Sequence, residues 1–211
     1  MFVVIEGPNK SGKSTLLGSI AASLGATGTK LWLTREPGGT QFGEALRSVV
    51  LQNRSLSDFT RALLMNSARA EHVCRVVLPK QSEGAIVVCD RYTASTEVFQ
   101  CMLGEMSEAQ CELIHSILRD FPVPDLEVFL LPTPELIRSR YRKGAECDVF
   151  EGREFLEISA YREVALRHYR ENPEGVILQD LTLDSPFANA EAIVAEIHRR
   201  ACDGVCLAGA V

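Results

Sequence analysis

The 211-residue sequence lacks several features that define large classes of proteins. It has no apolar run near the ~20 residues that a membrane span needs, and its opening stretch, MFVVIEG, is too short for a secretion signal. It also has no internal repeat, no low-complexity tract and no long run of like charges. These absences favour one globular domain without a membrane segment, and we expect a cytoplasmic location.

Patterns for metal binding, disulfides and nucleic-acid binding are missing as well. The seven cysteines are odd in number and show no CxxC spacing, so we interpret them as reduced packing residues. The four histidines show no ligand spacing. The formal net charge of -6 argues against a nucleic-acid partner, which normally requires a basic face. An anionic ligand must therefore meet a local cationic pocket.

Short apolar runs alternate with longer helical patterns along the chain. Five nearly continuous apolar runs predict strands covered on both faces, at 2–6, 30–34, 85–89, 126–131 and 175–179. Helical patterns lie at 13–25, 43–52, 58–82, 107–119, 134–142, 153–171 and 186–201. The alternation predicts an α/β fold with a doubly wound five-stranded parallel sheet, in which ligands bind at the carboxyl ends of the strands.

The first predicted strand is followed by the glycine-rich stretch IEGPNKSGKST. Gly7, four further residues and then Gly12, Lys13 and Ser14 form the spacing of a phosphate-binding loop (P-loop) that opens a helix. We predict that Lys13 contacts the β- and γ-phosphates of a nucleoside triphosphate and that Ser14 binds Mg²⁺. The loop residues predicted to bind this nucleotide are Gly7, Asn9, Lys10, Ser11, Gly12, Lys13, Ser14 and Thr15. A GTPase is disfavoured because neither an NKxD-like base reader nor a DxxG after a strand is present.

The loops after the second and third strands carry the groups that an acceptor would need. TREPGGT contains Arg35, and Arg47 follows on the next predicted helix. In DRYTASTEVFQ, Asp90 ends a strand, where a carboxylate commonly orients Mg²⁺-bound water. Thr96, Phe99 and Gln100 supply a hydroxyl, an aromatic face and an amide within about one helical turn. Such a set suits the recognition of a flat base.

The ordered motifs IEGPNKSGKST, TREPGGT, ARAEHV, DRYTASTEVFQ and RYRKGAECDVFE resemble those of the thymidylate kinase family over residues 2–180. The resemblance implies the fold of P-loop nucleoside monophosphate kinases, ATP and Mg²⁺ as cofactors, a small-molecule nucleotide as acceptor and a homodimer. It implies one kinase domain at 1–202 with a mobile lid at about 140–152. The remaining tail, 203–211, shows no periodicity and has no predicted role.

The resemblance also assigns site residues by matching position. In the lid region, Arg138, Arg140 and Arg142 would approach the ATP phosphates. Arg35, Arg47 and Arg91 would line the acceptor-phosphate side, and Arg69 would bond the base. The complete predicted acceptor set is Asn9, Arg35, Glu36, Pro37, Arg47, Met65, Arg69, Arg91, Thr96, Phe99 and Gln100, and the predicted metal ligands are Ser14 and Asp90.

Four positions depart from the family pattern. Asn9 replaces an acidic residue, Met65 replaces a stacking phenylalanine, and Val149 stands where the lid usually has an arginine. Lys10 adds a cation to the loop, and we hypothesise that it replaces the missing lid arginine in catalysis, beside Lys13 and Arg91. The main hypothesis is ATP-dependent phosphorylation of dTMP. The alternatives are a kinase for another pyrimidine monophosphate, such as dUMP or a 5-substituted dUMP, and a nucleotide-binding module with little catalysis.

Overall fold

The computed structural model describes residues 1–140 and 154–208 of the chain. Its strands form one parallel sheet in the order β2-β3-β1-β4-β5, which confirms the predicted doubly wound α/β fold. The strands are β1 (Phe2–Glu6), β2 (Leu31–Arg35), β3 (Ile86–Asp90), β4 (Leu126–Pro132) and β5 (Val176–Leu181).

Helices connect successive strands, as parallel pairing requires. The α-helices are α1 (Lys13–Ala26), α2 (Gln41–Gln52), α3 (Asp58–His72), α4 (Leu78–Ser82), α5 (Thr93–Thr96), α6 (Glu108–Arg119), α7 (Pro134–Arg140), α8 (Glu154–Glu171) and α9 (Ala190–Ala208). Two π-helical segments extend α3 and α5, at Val73–Val77 and Glu97–Met102. Among the described helices, none is both long enough and apolar enough to cross a membrane.

Strand β1 shows how the core is divided. Val3 and Ile5 belong to a buried cluster that includes side chains of α1 and α9, whereas Phe2 and Val4 belong to another that includes Val73 of the first π-helical segment. Successive side chains of a strand point to opposite faces, so β1 is covered on both sides. β1 also lies between β3 and β4, which brings the loops that follow these three strands together at one edge of the sheet.

Two predictions about the elements are wrong. β2 is an edge strand and leaves Trp32 42% exposed, although its apolar run predicted cover on both faces. The helix predicted at 58–82 changes to a π-helical segment after His72, because Pro79 has no N–H group for the bond to an earlier carbonyl and a wider turn precedes it.

The predicted tail and the predicted lid differ in how much of each the structure describes. The helix predicted to end at 201 continues to Ala208, because no proline interrupts the chain there, so most of the predicted tail extends α9. The predicted lid at 140–152 falls outside the described residues apart from Arg140, and so do Arg142 and Val149.

Candidate active site

The glycine-rich loop leads directly from β1 into α1. Gly7 has a φ of 148°, and a Cβ atom at this position would lie 2.7 Å from the carbonyl oxygen of Leu130. Gly12 precedes α1 with a φ of 102°. Both conformations are strained for residues with a side chain, so glycine is required where the chain turns into the helix. The amino-terminal end of α1, which carries the positive end of the helix dipole, therefore begins directly at this loop.

Lys13 is the first residue of α1 and is only 7% exposed. Its Nζ donates hydrogen bonds of 2.9 Å to the carbonyl oxygens of Gly7 and Pro8. Burial, reinforced by the charge of Arg91, lowers the pKa of Lys13 to about 8. The two carbonyl oxygens are neutral, whereas a phosphate group would give this ammonium a partner of opposite charge.

A cavity of about 480 Å³ lies in front of the loop, and we call it the loop pocket. It brings together many of the residues predicted to bind ATP, and it adds Arg140 from α7 and Phe187. Gly7 and Ser11 do not line it, and Ser11 is buried. The residues that line the pocket are Asn9, Lys10, Gly12, Lys13, Ser14, Thr15, Arg47, Asp90, Arg91, Arg140 and Phe187.

Two arginines of α7 have different positions relative to the loop pocket. Arg140 donates a 2.6 Å hydrogen bond from Nη1 to the carbonyl oxygen of Lys10 and reaches the pocket. Arg138 was predicted to bind ATP, but it is exposed and does not line the pocket. A helix presents residues two apart on different faces, so only one of the pair can face the loop.

The two predicted magnesium ligands meet at this pocket. Ser14 lines it from the first turn of α1, and Asp90 lines it from the end of β3. Asp90 Oδ1 is buried and accepts no hydrogen bond within the described residues. A hydroxyl and an unsatisfied carboxylate oxygen are hard donors of the kind that Mg²⁺ selects, so the residues fit this ion.

A second cavity of about 210 Å³, which we call the acceptor pocket, lies between α3 and the segment 92–100. It contains all of the predicted acceptor residues except Arg35, together with Leu51, Tyr92 and Ser95. Arg35 instead forms a 3.0 Å ion pair with Glu44, and its side chain is 54% exposed. The prediction that Arg35 lines the acceptor-phosphate side is therefore not supported by this geometry, because a nearby carboxylate holds its guanidinium.

Arg69 forms a wall of the acceptor pocket and is 3% exposed. It donates hydrogen bonds to Glu36 Oε2 (2.6 Å), Asn66 Oδ1 (2.6 Å), the Tyr92 carbonyl oxygen (2.9 Å) and Thr96 Oγ1 (3.1 Å). An arginine side chain has five N–H donors. The predicted direct bond to the base thus competes with four bonds that already hold Arg69 and Thr96 in place.

The remaining side chains of the acceptor pocket provide polar and apolar contacts. Gln100 is almost completely buried, and its Oε1 accepts no hydrogen bond within the described residues. Met65 and Phe99 line the same pocket, and the Phe99 ring lies 5.4 Å from the guanidinium carbon of Arg91. A flat ring with a hydrogen-bond donor on its edge would meet apolar contacts and an unsatisfied amide oxygen.

Asn9, Arg47 and Arg91 line both pockets. Asn9 Oδ1 accepts a 2.9 Å hydrogen bond from Arg91 Nη2, and its backbone N–H donates to Glu157 Oε1 at 3.0 Å. Arg47 donates to the carbonyl oxygen of Pro37 at 3.0 Å. Two guanidinium groups therefore stand where the two pockets meet.

Sequence reasoning missed the residues that hold Arg91. Its Nη1 donates to Ser95 Oγ at 3.1 Å and to the hydroxyl of Tyr161. Glu6 is fully buried and accepts hydrogen bonds from the Tyr92 N–H (2.7 Å) and from Ser95 Oγ (2.7 Å). Burial raises the pKa of Glu6, while the charge of Arg91 acts in the opposite direction. The carboxylate of Glu6 at the end of the apolar run FVVIE was the one signal in the sequence that could have indicated a buried charged group there. Tyr161 gives no such signal, because in the sequence it resembles an ordinary core aromatic residue.

The comparisons with known proteins agree with this geometry. The family model described as thymidylate kinase matches residues 5–185. The thymidylate kinase of Pseudomonas savastanoi pv. phaseolicola is 34% identical over 197 residues, covering 91% of both chains. That of Thermomicrobium roseum is 34% identical and covers 94% of this chain and 96% of its own. That of Cereibacter sphaeroides (strain ATCC 17029 / ATH 2.4.9) is 38% identical over 168 residues, or 77% of both chains.

A solved structure extends the comparison to the fold. The crystal structure of thymidylate kinase from Ehrlichia chaffeensis matches with a TM-score of 0.66 at 21% identity, covering 94% of this chain and 96% of that one. The structural match supports the fold, and the sequence matches carry the family assignment. Taken with the loop and the two adjoining pockets, they establish that the chain belongs to the thymidylate kinase family.

Proposed function

We propose that the loop pocket holds ATP, that the acceptor pocket holds dTMP, and that the phosphoryl group passes between them beside Arg91. The activity itself, ATP-dependent phosphorylation of dTMP to dTDP, follows from the family. The observation that supports the arrangement is that Asn9, Arg47 and Arg91 line both pockets. Two ligands bound there would meet at two cationic side chains, where the charge of a transferring phosphoryl group needs stabilisation.

In this proposal, catalysis depends on position and charge, without a covalent intermediate. Lys13 exchanges its two carbonyl partners for phosphate oxygens, and the amino-terminal end of α1 adds a positive dipole. Arg91 contacts the phosphoryl group from the acceptor side while Tyr161 and Ser95 hold it. Ser14 and Asp90 would hold Mg²⁺, which neutralises phosphate charge when it is bound.

We propose that the base of dTMP lies between Met65 and Phe99 with its N–H edge towards Gln100 Oε1. The thioether of Met65 contacts a ring without fixing its orientation as a flat phenyl ring does. Gln100 and the fixed hydroxyl of Thr96 then carry more of the recognition. The family usually has an acidic residue at position 9. Asn9 keeps an oxygen that accepts a hydrogen bond from Arg91, so the contact between these two side chains where the pockets meet is retained. The alternatives of another pyrimidine monophosphate or a catalytically weak module are not favoured.

A panel of acceptors tests this function. With ATP and Mg²⁺ in a coupled ADP-release assay, we expect dTMP turnover within the common range of about 1 to 10³ per second. Under the same conditions, dUMP, dCMP, dGMP and thymidine should each give a kcat/KM at least roughly tenfold lower. The reason is that dUMP lacks the methyl contact, dCMP lacks the edge donor, thymidine lacks the phosphate, and dGMP carries a larger purine. Removal of Mg²⁺ by a chelator is the control. Turnover below about 0.01 per second on every acceptor would contradict the kinase assignment.

Lys10 offers a second, narrower test. It lines the loop pocket beside Lys13, where a cation stabilises charge on the transferring group. We expect Lys10→Ala to lower kcat at least about tenfold while the KM for dTMP changes by less than about threefold, because the contribution arises in the transition state. Lys10→Arg, which keeps the charge, should retain most of the activity. A Lys10→Ala enzyme within a factor of about two of the parent would refute a catalytic role.

The assembly and location of the protein are further proposals. The adjoining helices α2, α3 and α6 expose the large apolar side chains Phe42, Val49, Leu63 and Leu113, which supports a homodimer that covers them. A monomeric mass by light scattering at micromolar concentration would contradict it. Cys74, Cys89, Cys101, Cys111 and Cys202 are free thiols, as expected for a cytoplasmic protein. Cell fractionation tests that location.

A further inference from the structure

A third cavity, of about 400 Å³, lies apart from the loop and acceptor pockets, and we call it the rear cavity. It lies where the carboxyl-terminal ends of α6 and α8 meet the loop 121–124 that precedes β4. Its volume is in the range of small-molecule binding sites and exceeds that of the acceptor pocket. No residue lining it also lines either of the two nucleotide pockets.

The buried end of the rear cavity contains an unsatisfied hydrogen-bond acceptor. Glu127 of β4 is 7% exposed, and its Oε2 is 2.8 Å from His168 Nδ1. Its other carboxylate oxygen, Oε1, is buried and accepts no hydrogen bond within the described residues. Buried carboxylate oxygens normally have donors, so this atom is available to accept a hydrogen bond from a molecule in the cavity.

The charges around Glu127 are already balanced. His168 Nε2 lies 3.2 Å from Glu97 Oε1, and Arg167 forms an ion pair with Glu97 as well. Burial acts to lower the pKa of His168, but the hydrogen bonds and charges of Glu127 and Glu97 outweigh it and raise that pKa to about 10. The buried end therefore pairs two carboxylates with two cations. A neutral N–H donor fits there better than an additional cation.

The walls and mouth of the cavity differ in character from its buried end. Leu118, Phe121 and Val123 give it apolar sides that suit a flat ring. The exposed side chains of Arg119 and Glu171 also line the cavity, and Arg119 makes no ion pair within the described part of the chain. A ligand that fits all three regions has an uncharged N–H donor at one end, a ring, and an anionic group at the other end.

We propose that the rear cavity binds a nucleotide whose base carries an exocyclic amino group, with that group donating to Glu127 Oε1 and the phosphate near Arg119. Thr93 and Glu97 line the rear cavity, whereas Thr96, Phe99 and Gln100 of the same short segment line the acceptor pocket. The two cavities thus share one segment as a common wall. An occupant of the rear cavity is expected to change the KM for dTMP more than the KM for ATP.

The test is a calorimetric titration of the enzyme saturated with dTMP and ADP, which occupy the two nucleotide pockets. The probes are dCMP and dUMP. Position 4 of the base carries an amino group in dCMP and a carbonyl in dUMP, and the ring N3–H of dUMP lies between two carbonyl oxygens that would face the carboxylate of Glu127. We expect dCMP to bind once per chain with a Kd below about 1 mM, and dUMP to bind at least roughly tenfold more weakly.

Two variants locate the binding site. Val123 is 79% exposed at the cavity, so Val123→Trp should obstruct the mouth without disturbing the core, and it should weaken dCMP binding at least about tenfold. Leu183→Trp places the same ring at an exposed position outside the cavity and should leave binding unchanged. A parental kcat without dCMP shows that each variant is folded.

Three results would overturn the proposal: no dCMP binding up to about 10 mM, equal affinity for dUMP, or dCMP binding that survives Val123→Trp. The last result would show that dCMP binds outside the rear cavity. The titration measures binding and not turnover, so its failure is distinguishable from failure of the proposed kinase function.

Discussion

Replacing Lys13 by methionine is expected to lower kcat/KM for ATP by about 10²- to 10³-fold, the loss typical when one preorganised group that stabilises transition-state charge is removed. Lys13 is buried at the start of α1, and the two carbonyls that hold its ammonium offer no full negative charge. Methionine keeps most of the side-chain volume, so the change removes the charge and leaves the packing. Steady-state kinetics with varied ATP at saturating dTMP measures the loss.

The control for Lys13→Met is Lys30→Met, because Lys30 is an exposed lysine paired with Glu83 and remote from the loop pocket. This control should keep its parental kcat/KM. Equal losses in both variants, or a Lys13→Met loss of less than about tenfold, would contradict the assigned role.

The pKa of Lys13 adds an independent signature. Burial lowers it to about 8, so the free enzyme carries the charge fully only well below that pH and loses it as the pH rises through 8. In the parent, kcat/KM for ATP should therefore fall above pH 8. Bound phosphate favours the charged form, so kcat should stay level to higher pH. In Lys13→Met the fall near pH 8 should disappear; an unchanged profile would assign the titration to another group.

Replacing Arg91 by methionine is expected to have an effect of similar size on kcat and also to raise the KM for dTMP. Arg91 lines both pockets and bonds to Asn9, Ser95 and Tyr161. Its loss removes a cation from the site of transfer, for which we expect a decrease in kcat of about 10³-fold. The isolated binding of ATP should change much less, since Lys13 and the loop remain. Equilibrium titration with ATP and steady-state kinetics with dTMP separate the two effects.

The same variant should also be less stable. The charge of Arg91 acts on the buried Glu6, and both side chains form hydrogen bonds with Ser95. Removing one partner of a buried charged network costs about 3 kcal/mol. The exposed Arg75, which pairs with Glu71, provides the control variant Arg75→Met, which should change the free energy of unfolding by less than about 1 kcal/mol. Urea unfolding measures both. An Arg91→Met protein as stable as Arg75→Met would show that Glu6 does not depend on this cation.

The sequence indicated the fold and most of the pocket linings because parallel α/β folds place ligands at strand ends. Once Gly7 and Gly12 located the phosphate loop, the carboxyl ends of the other strands were expected at the same edge of the sheet. The strand end predicted Asp90, which lines the loop pocket, and the resemblance to the family placed Met65 and Gln100 on the acceptor side, where both line the acceptor pocket.

The direction and pairing of individual side chains were not predictable in this way. Arg35 turns towards Glu44, nine residues further along the chain, and Arg138 faces away from the loop pocket that Arg140 reaches. Glu6 and Tyr161 act on Arg91 through contacts between residues about 70 or more positions apart, which no local pattern encodes. The prediction that β2 is covered on both faces failed for a related reason, since apolar content does not reveal which strand stands at the edge of the sheet.

The position of Glu6, immediately before Gly7, links the phosphate loop to the acceptor pocket. The carboxylate that ends β1 accepts hydrogen bonds from the backbone of Tyr92 and from Ser95, at the start of the segment that forms a wall of the acceptor pocket. The phosphate loop and the segment that lines the acceptor pocket are thus both attached to the end of β1. The loop is attached through the peptide bond between Glu6 and Gly7, and the segment through the hydrogen bonds of the buried Glu6 carboxylate. Misplacement of reacting groups by about 1 Å can cost roughly 10²-fold in rate, so a shared anchor that limits the relative displacement of the two segments bears directly on the rate.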